Sequence, residues 1–185
     1  MAEFAISHIP FKSANRVFLL ILIGLIVPVQ MTLVPLTLLV NALNLIDTLQ
    51  GLILLYIGFG VPFGVLVMRG FFRTIPTAII EAARIDGCSY FRIFWRVAVP
   101  LALPAIVSLA ILDGVATWNE FLLAQIFLRS DELRRLPLGL VAFSTQFSTQ
   151  YDQLAAAVLI SVTPIVVVFL FFQRYFVSGM AGAIK

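Results

Sequence analysis

The sequence has one cysteine, one histidine and few charges, with Asp, Glu, Lys and Arg together making up 11%. A lone Cys88 can form neither an intramolecular disulfide nor a cysteine metal cluster, so small-residue packing is its expected role. A lone His8 near the start, and no basic or histidine partner for Cys88 in the pattern, leave no nucleophile–base pair and no metal-ligand set. No catalytic residue, metal or cofactor is expected. A G-x-x-x-x-G-K-[ST] phosphate loop is missing as well, since the glycines from Gly58 to Gly64 lack the lysine and lie inside an apolar run. Any energy from ATP must come from another subunit. Soluble domains carry about 25% charged residues, so the low charge here excludes that class.

What the chain does have is apolar length: 62% of residues are hydrophobic and the mean hydropathy is +1.09. A helical span needs about 20 apolar residues, and Val17 to Val40, Thr48 to Met68, Pro104 to Leu128 and Leu154 to Phe172 all qualify. None of them alternates as a barrel strand would. The expected fold is an all-α, polytopic helical membrane protein with about four spans. Lys12 and Arg16 precede the first span, Arg69, Arg73, Arg84, Arg92 and Arg96 fill the middle loop, and Arg174 and Lys185 follow the last. Only Arg129, Arg134 and Arg135 lie on the other side, so the positive-inside rule puts both termini and the middle loop in the cytoplasm. That distribution accounts for the basic residues without nucleic acid. Pro28 and Pro35, with Gln30 and Thr32 between them, interrupt the first span and kink its outer half; tolerated membrane prolines and a gating hinge both fit. Gly51, Gly58, Gly60, Pro62 and Gly64 suit close helix packing or a hinge in the second.

Between Arg69 and Pro100 the pattern changes to short amphipathic pieces. Pro76 suits a first helical turn and Gly87 a left-handed stop, which predicts a helix from about Pro76 to Asp86. Ser89 can cap a second helix, in which Phe91, Phe94, Trp95 and Ala98 share one face while Arg92 and Arg96 share another. Small Ala82 and Ala83, acceptors Glu81 and Asp86, and the reversal at Gly87 would suit docking into a soluble partner. An amphipathic helix lying on lipid headgroups, its arginines on phosphates, fits the same residues.

Glu81-Ala82-Ala83, three residues, Gly87, nine residues, Val97, one residue and Val99-Pro100 together resemble the signature loop of type I ABC-importer permeases, with Val for Ile and Val for Leu. Val29 to Pro35, Arg69-Gly70-Phe71-Phe72, Arg92-Ile93-Phe94-Trp95-Arg96, Trp118-Asn119-Glu120-Phe121 and Gln173-Arg174-Tyr175-Phe176 resemble the carbohydrate-uptake branch, in particular its smaller, maltose-type permeases. The resemblance implies an ABC importer type I transmembrane fold of about six spans, of which four are here and the rest would precede Met1. It implies a permease domain over 1–174, a cytoplasmic coupling loop over 69–100, and a tail over 175–185. The coupling set would be Glu81, Ala82, Ala83, Asp86, Gly87, Arg92 and Pro100, seated in a cleft on a dimer of ATPase subunits. Gly179, Gly182 and Lys185 of the small, flexible tail would reach toward those ATPases. A second homologous permease, an extracytoplasmic sugar-binding protein and the cytoplasmic membrane of a prokaryote complete what the resemblance implies.

In the third span Asp113, Thr117, Glu120 and Ala124 fall near one helix face, and ionisable groups would avoid lipid. They would line the sugar path or form a hydrogen-bonded seam between two permeases, with the seam favoured for Glu120. The resemblance assigns no role to Asp113. Trp118, Asn119 and Gln125 could contact sugar rings and hydroxyls, although Trp118 equally suits an interfacial aromatic. Thr163-Pro164 can bend the last span, with Thr163 satisfying a freed carbonyl. The alternatives to a sugar permease are a truncated, non-transporting membrane fragment or structural subunit, and a permease for another solute such as amino acids.

Overall fold

A computed structural model describes residues 2–8, 13–141, 143 and 151–183. Helices α1 (Ala2–His8), α2 (Ala14–Ile26), α3 (Val29–Ala42) and α4 (Leu49–Phe72) come first. They are followed by α5 (Thr77–Ile85) and α6 (Tyr90–Ile93), which runs through a π-helical turn at Phe94–Ala98 into α7 (Val99–Trp118). The chain then forms α8 (Leu122–Phe127), a 3-10 turn at Asp131–Leu133, α9 (Leu136–Val141) and α10 (Tyr151–Ala183). Leu49–Phe72, Tyr90–Trp118 and Tyr151–Gln173 are each long and apolar enough to cross a membrane, and α2 with α3 is a bent apolar pair, the pattern of a broken fourth span or of a re-entrant loop.

The first expected span breaks at one of its prolines, and the third is corrected. The run Val17 to Val40 is not one helix: Val27 and Pro28 separate α2 from α3, and Pro28 is extended at φ −62 and ψ 132. A proline without an N–H on an extended residue ends the hydrogen-bond ladder, whereas Pro35 stays inside α3. The run Pro104 to Leu128 is also divided, since α7 stops at Trp118 and α8 starts at Leu122. The Glu120 carboxylate takes over the first free amides of α8, as described below, and the chain cannot at the same time continue α7.

The chain divides into two compact units, one of Met1–Ile26, Phe59–Leu112 and Phe172–Lys185, the other of Val27–Gly58 and Asp113–Phe171. The first is built on Phe4, Phe72, Ile75, Ile80, Ile93, Phe94, Ala98 and Ala102, all buried. Phe4 meets the rings of Phe72 and Phe94 at centroid distances of 6.1 and 5.5 Å, within the range of favourable aromatic pairs. Gly24 admits the Pro62 ring so closely that a Cβ there would lie 2.9 Å from it. Arg69, one of the expected cytoplasmic cations, lies 3.5 Å over the Phe18 ring and donates to Asn15 at 3.2 Å. Cys88 packs beside the core of this unit as a free thiol.

The second unit buries Val40, Leu52, Leu55, Leu123, Ala124, Phe127 and Leu128. The Thr48 hydroxyl starts α4 by accepting the Gly51 amide at 3.1 Å while donating to the Leu45 carbonyl at 2.8 Å. Asn44 and Asp47 both have positive φ, 55 and 58, in the connection between α3 and α4. Both are residue types that tolerate this region because a short polar side chain can bond locally.

Candidate coupling surface and polar segment

Helix α5 is amphipathic. Ile80 enters the core, Ala83 is half-buried against it, and Glu81, Ala82, Ile85 and Asp86 are exposed. At its end the Gly87 amide donates to the Arg84 carbonyl at 3.0 Å and the Cys88 amide to the Ala83 carbonyl at 3.0 Å, while Gly87 sits at φ +77. This is the left-handed stop that glycine provides, and it reverses the chain toward Ser89. The Ser89 hydroxyl accepts the Arg92 amide at 3.4 Å and caps α6. Arg84 lies 4.5 Å over the Tyr90 ring and donates to the Cys88 carbonyl at 3.3 Å, bracing the two helices.

The result is an exposed helix–turn–helix at the expected residues. A concave space of about 550 Å³ opens beside it, lined by Ser7, Thr77, Glu81, Arg84, Ile85 and Tyr90. Ile85 is 87% exposed, an apolar side chain offered at the end of a polar helix. Sequence reasoning overlooked Ile85, and also the Arg84–Tyr90 brace. The signal for Ile85 was there, an isoleucine between Arg84 and Asp86 that a soluble loop would not need. The brace links residues on two helices and has no sequence signature. Arg92 and Pro100, the rest of the expected coupling set, are exposed as well.

The polar residues expected on one face of a third span are placed differently from one another. Asp113 and Thr117 lie on α7, exposed and half-buried. The Trp118 indole N–H donates to the Ser161 carbonyl of α10 at 3.1 Å, and the Asn119 amide donates to the Val115 carbonyl at 2.9 Å. Glu120 lies past the end of the helix. Its carboxylate accepts the Leu123 amide at 2.7 Å, the Ala124 amide at 3.1 Å and the Tyr56 hydroxyl at 2.8 Å, while Arg135 lies 5.3 Å over the Tyr56 ring. Glu120 is thus a cap for α8 within its own chain. Thr163 donates to the Leu159 carbonyl at 2.7 Å, four residues back, whereas the carbonyl that Pro164 leaves without an N–H is that of Ile160, so this bond is not the expected satisfaction of a freed carbonyl.

Losing a helix cap costs about 1 kcal/mol, and a buried hydroxyl left without its acceptor adds roughly 1 to 3 kcal/mol. Glu120→Ala is therefore expected to lower the thermal midpoint of the purified chain more than Tyr56→Phe does. Equal midpoints for Glu120→Ala and the parent chain would remove the capping role.

Asp47 ties the α3–α4 connection to the segment after α8. Its Oδ1 accepts the Arg129 and Ser130 amides at 2.8 and 3.0 Å and the Ser130 hydroxyl at 3.1 Å. The Ser130 and then the Arg129 backbone N–H hold this carboxyl below its ordinary range, against a small opposing effect of burial. A depressed carboxylate stabilises the fold above the unfolded-state pKa of about 4, and its contribution disappears as pH falls through the lower folded value. Protection of the Arg129 and Ser130 amides, measured against their intrinsic exchange rates, should fall on acidification below the ordinary aspartate range, and Asp47→Ala should already lack it at neutral pH. Protection at both amides that is indifferent to Asp47→Ala would contradict this.

The helical content and the apolar spans define a multi-pass membrane protein, which carries an exposed, capped helix–turn–helix between two of its spans. The family described as binding-protein-dependent transport system inner membrane component matches residues 3–182, and the chain belongs to this family. It is 38% identical over 185 residues to the probable ABC transporter permease protein YurM of Bacillus subtilis (strain 168), covering 100% of this chain and 62% of that protein. It is 38% identical over 186 residues to the arabinooligosaccharides transport system permease protein AraQ of Halalkalibacterium halodurans, covering 100% of this chain and 66% of AraQ. The crystal structure of a bacterial ABC transporter involved in the import of the acidic polysaccharide alginate matches with a TM-score of 0.80 at 25% identity, over 94% of this chain and 66% of that chain. The chain thus spans roughly two thirds of the length of the proteins it resembles.

Proposed function

We propose that the chain acts as a permease subunit of an ATP-binding cassette importer for sugars or oligosaccharides in a prokaryotic cytoplasmic membrane. The observation that carries this is the turn at Gly87. The spacing Glu81-Ala82-Ala83, three residues, Gly87 becomes an exposed helix, a positive-φ reversal and a capped second helix. Residues 76–100 form the coupling loop within the proposed permease domain of 1–174. Glu81, Ala82, Ala83, Asp86 and Gly87 meet one ATPase of a dimer, and Arg92 and Pro100 flank the contact. Both termini face the cytoplasm. The tail from 175 continues α10, which is helical through Ala183; of its expected contact residues Gly179 and Gly182 fall on that helix, and Lys185 lies outside the described residues.

A second homologous permease completes the path, and an extracytoplasmic binding protein delivers the solute. The sugar assignment rests on relatives such as AraQ, whose name specifies arabinooligosaccharides. Asp113 and Thr117 remain the candidates for the path, since the Trp118 N–H and Glu120 carboxylate are engaged within the chain. Uptake by the assembled complex in proteoliposomes tests the assignment. Labelled oligosaccharides accumulate with ATP if it is correct; amino acid uptake without sugar uptake would overturn the sugar class, and no uptake of any solute would favour a non-transporting subunit.

A further inference from the structure

We propose that the start of the long third span, Tyr90–Val97, is a lipid anchor in which Phe91 and Trp95 rest at the acyl–headgroup boundary and Arg96 holds the phosphate of an anionic phospholipid. Within the proposed coupling loop of 76–100 this assigns α5 to the ATPase contact and the segment from Tyr90 to the bilayer at the edge of that contact, and it is independent of the solute carried.

Three observations support it. The first is length. Tyr90–Trp118 is a single apolar helix of 29 residues. At 1.5 Å per residue it is about 43 Å long, whereas a bilayer's hydrocarbon core is about 30 Å thick, so along the bilayer normal roughly 13 Å of it lies outside that core. α7 alone, Val99–Trp118, has 20 residues and matches the core, which leaves Tyr90–Ala98 at headgroup depth.

The second is the division of side chains around that segment. Ile93, Phe94 and Ala98 are buried in the core of their unit, while Phe91 and Trp95 are 62% and 55% exposed. These two rings are edge-on at 6.4 Å, and Trp95 also meets Phe94 at 5.1 Å, so the exposed aromatics form a supported ledge and not loose side chains. Amphipathic aromatic rings are enriched at this depth.

The third is charge. Arg96 is exposed directly beside Trp95, with no carboxylate among the neighbouring residues from Ser89 to Pro100. A basic side chain at this depth is attracted to the negative surface of the inner leaflet, and an arginine fork matches phosphate oxygens. A protein partner would cover the ledge equally well in shape, but it would not require the apolar rings and the cation to sit one turn below a core-length helix.

The test uses the full chain in nanodiscs, with the Trp95 signal obtained by subtracting the emission of Trp95→Phe, which leaves Trp118 and its hydrogen bond in place. Acyl-brominated phosphatidylglycerol is expected to quench Trp95 and aqueous iodide to leave it largely unquenched. In mixed bilayers, phosphatidylglycerol should be preferred over phosphatidylcholine by roughly fivefold, the factor for one basic side chain at an anionic surface. Arg96→Gln should abolish that preference while leaving acyl quenching intact. Quenching of Trp95 by iodide but not by brominated lipid would overturn the proposal. So would equal quenching by the two lipids, or protection from iodide that arises only when the ATPase subunits are added.

Discussion

Replacing Gly87 with proline is expected to abolish ATP-coupled uptake by the assembled complex while leaving the amount of chain in the membrane unchanged. Gly87 occupies φ +77, and proline is locked near −65°, so the reversal between α5 and α6 cannot form. Proline also removes the N–H that bonds the Arg84 carbonyl at 3.0 Å. Gly87 lies in the exposed turn between helices and outside the apolar spans, so insertion has no reason to fail. Gly87→Ala separates conformation from bulk. A Cβ there meets nothing within 4 Å, so alanine carries only the left-handed backbone cost of about 1 to 2 kcal/mol and should retain partial coupling. Binding-protein-stimulated ATP hydrolysis measures both variants. Normal stimulation in Gly87→Pro would contradict the coupling role of the turn.

The second large effect is on stability. Gly51→Val places a Cβ on the Leu45 carbonyl oxygen, with the Leu45 side chain also 3.1 Å from the new atom. Gly51 is buried where its amide bonds the Thr48 hydroxyl, so the clash falls on the turn that starts α4. Overpacking of this kind costs about 1 to 3 kcal/mol, and backbone oxygen yields less readily than a side chain. A fall of several degrees in the thermal midpoint of detergent-solubilised chain is expected. Gly58→Ala is the control, because a Cβ there has open space and alanine favours the helix. A midpoint for Gly51→Val equal to that of Gly58→Ala would show that the close approach does not exist.

The helix–turn–helix around Gly87 could be read from sequence because each of its features is local. Pro76, Gly87 and Ser89 act on neighbouring backbone groups, and the structure puts α5, the positive φ and the α6 cap where those residue types require them. Spans two and four were legible for a similar reason, a long apolar run with few competing polar groups. The third span was not, because hydropathy does not register that the Glu120 carboxylate can satisfy the Leu123 and Ala124 amides and start a new helix. Its periodicity from Asp113 to Ala124 assumed one helix, and the face disappears once α7 ends at Trp118. In the first span the interruption expected from its prolines is present at Pro28 and absent at Pro35. Proline alone did not distinguish them; the extended backbone at Pro28 did. The Asp47 clasp on Arg129 and Ser130 links residues more than 80 positions apart, and no local pattern announces it.

The most direct test of the account is an ATP-dependent cross-link from the exposed face of α5. Ala82→Cys in a Cys88→Ser background puts a single thiol on that face, in the assembled complex with its ATPase subunits. Position 82 is expected to cross-link to an ATPase subunit with a yield that changes when ATP is bound, and to lose that cross-link when Gly87→Pro is added. A thiol at position 82 that reacts freely with water-soluble maleimide and never cross-links to the ATPase, in a complex that still transports, would contradict it.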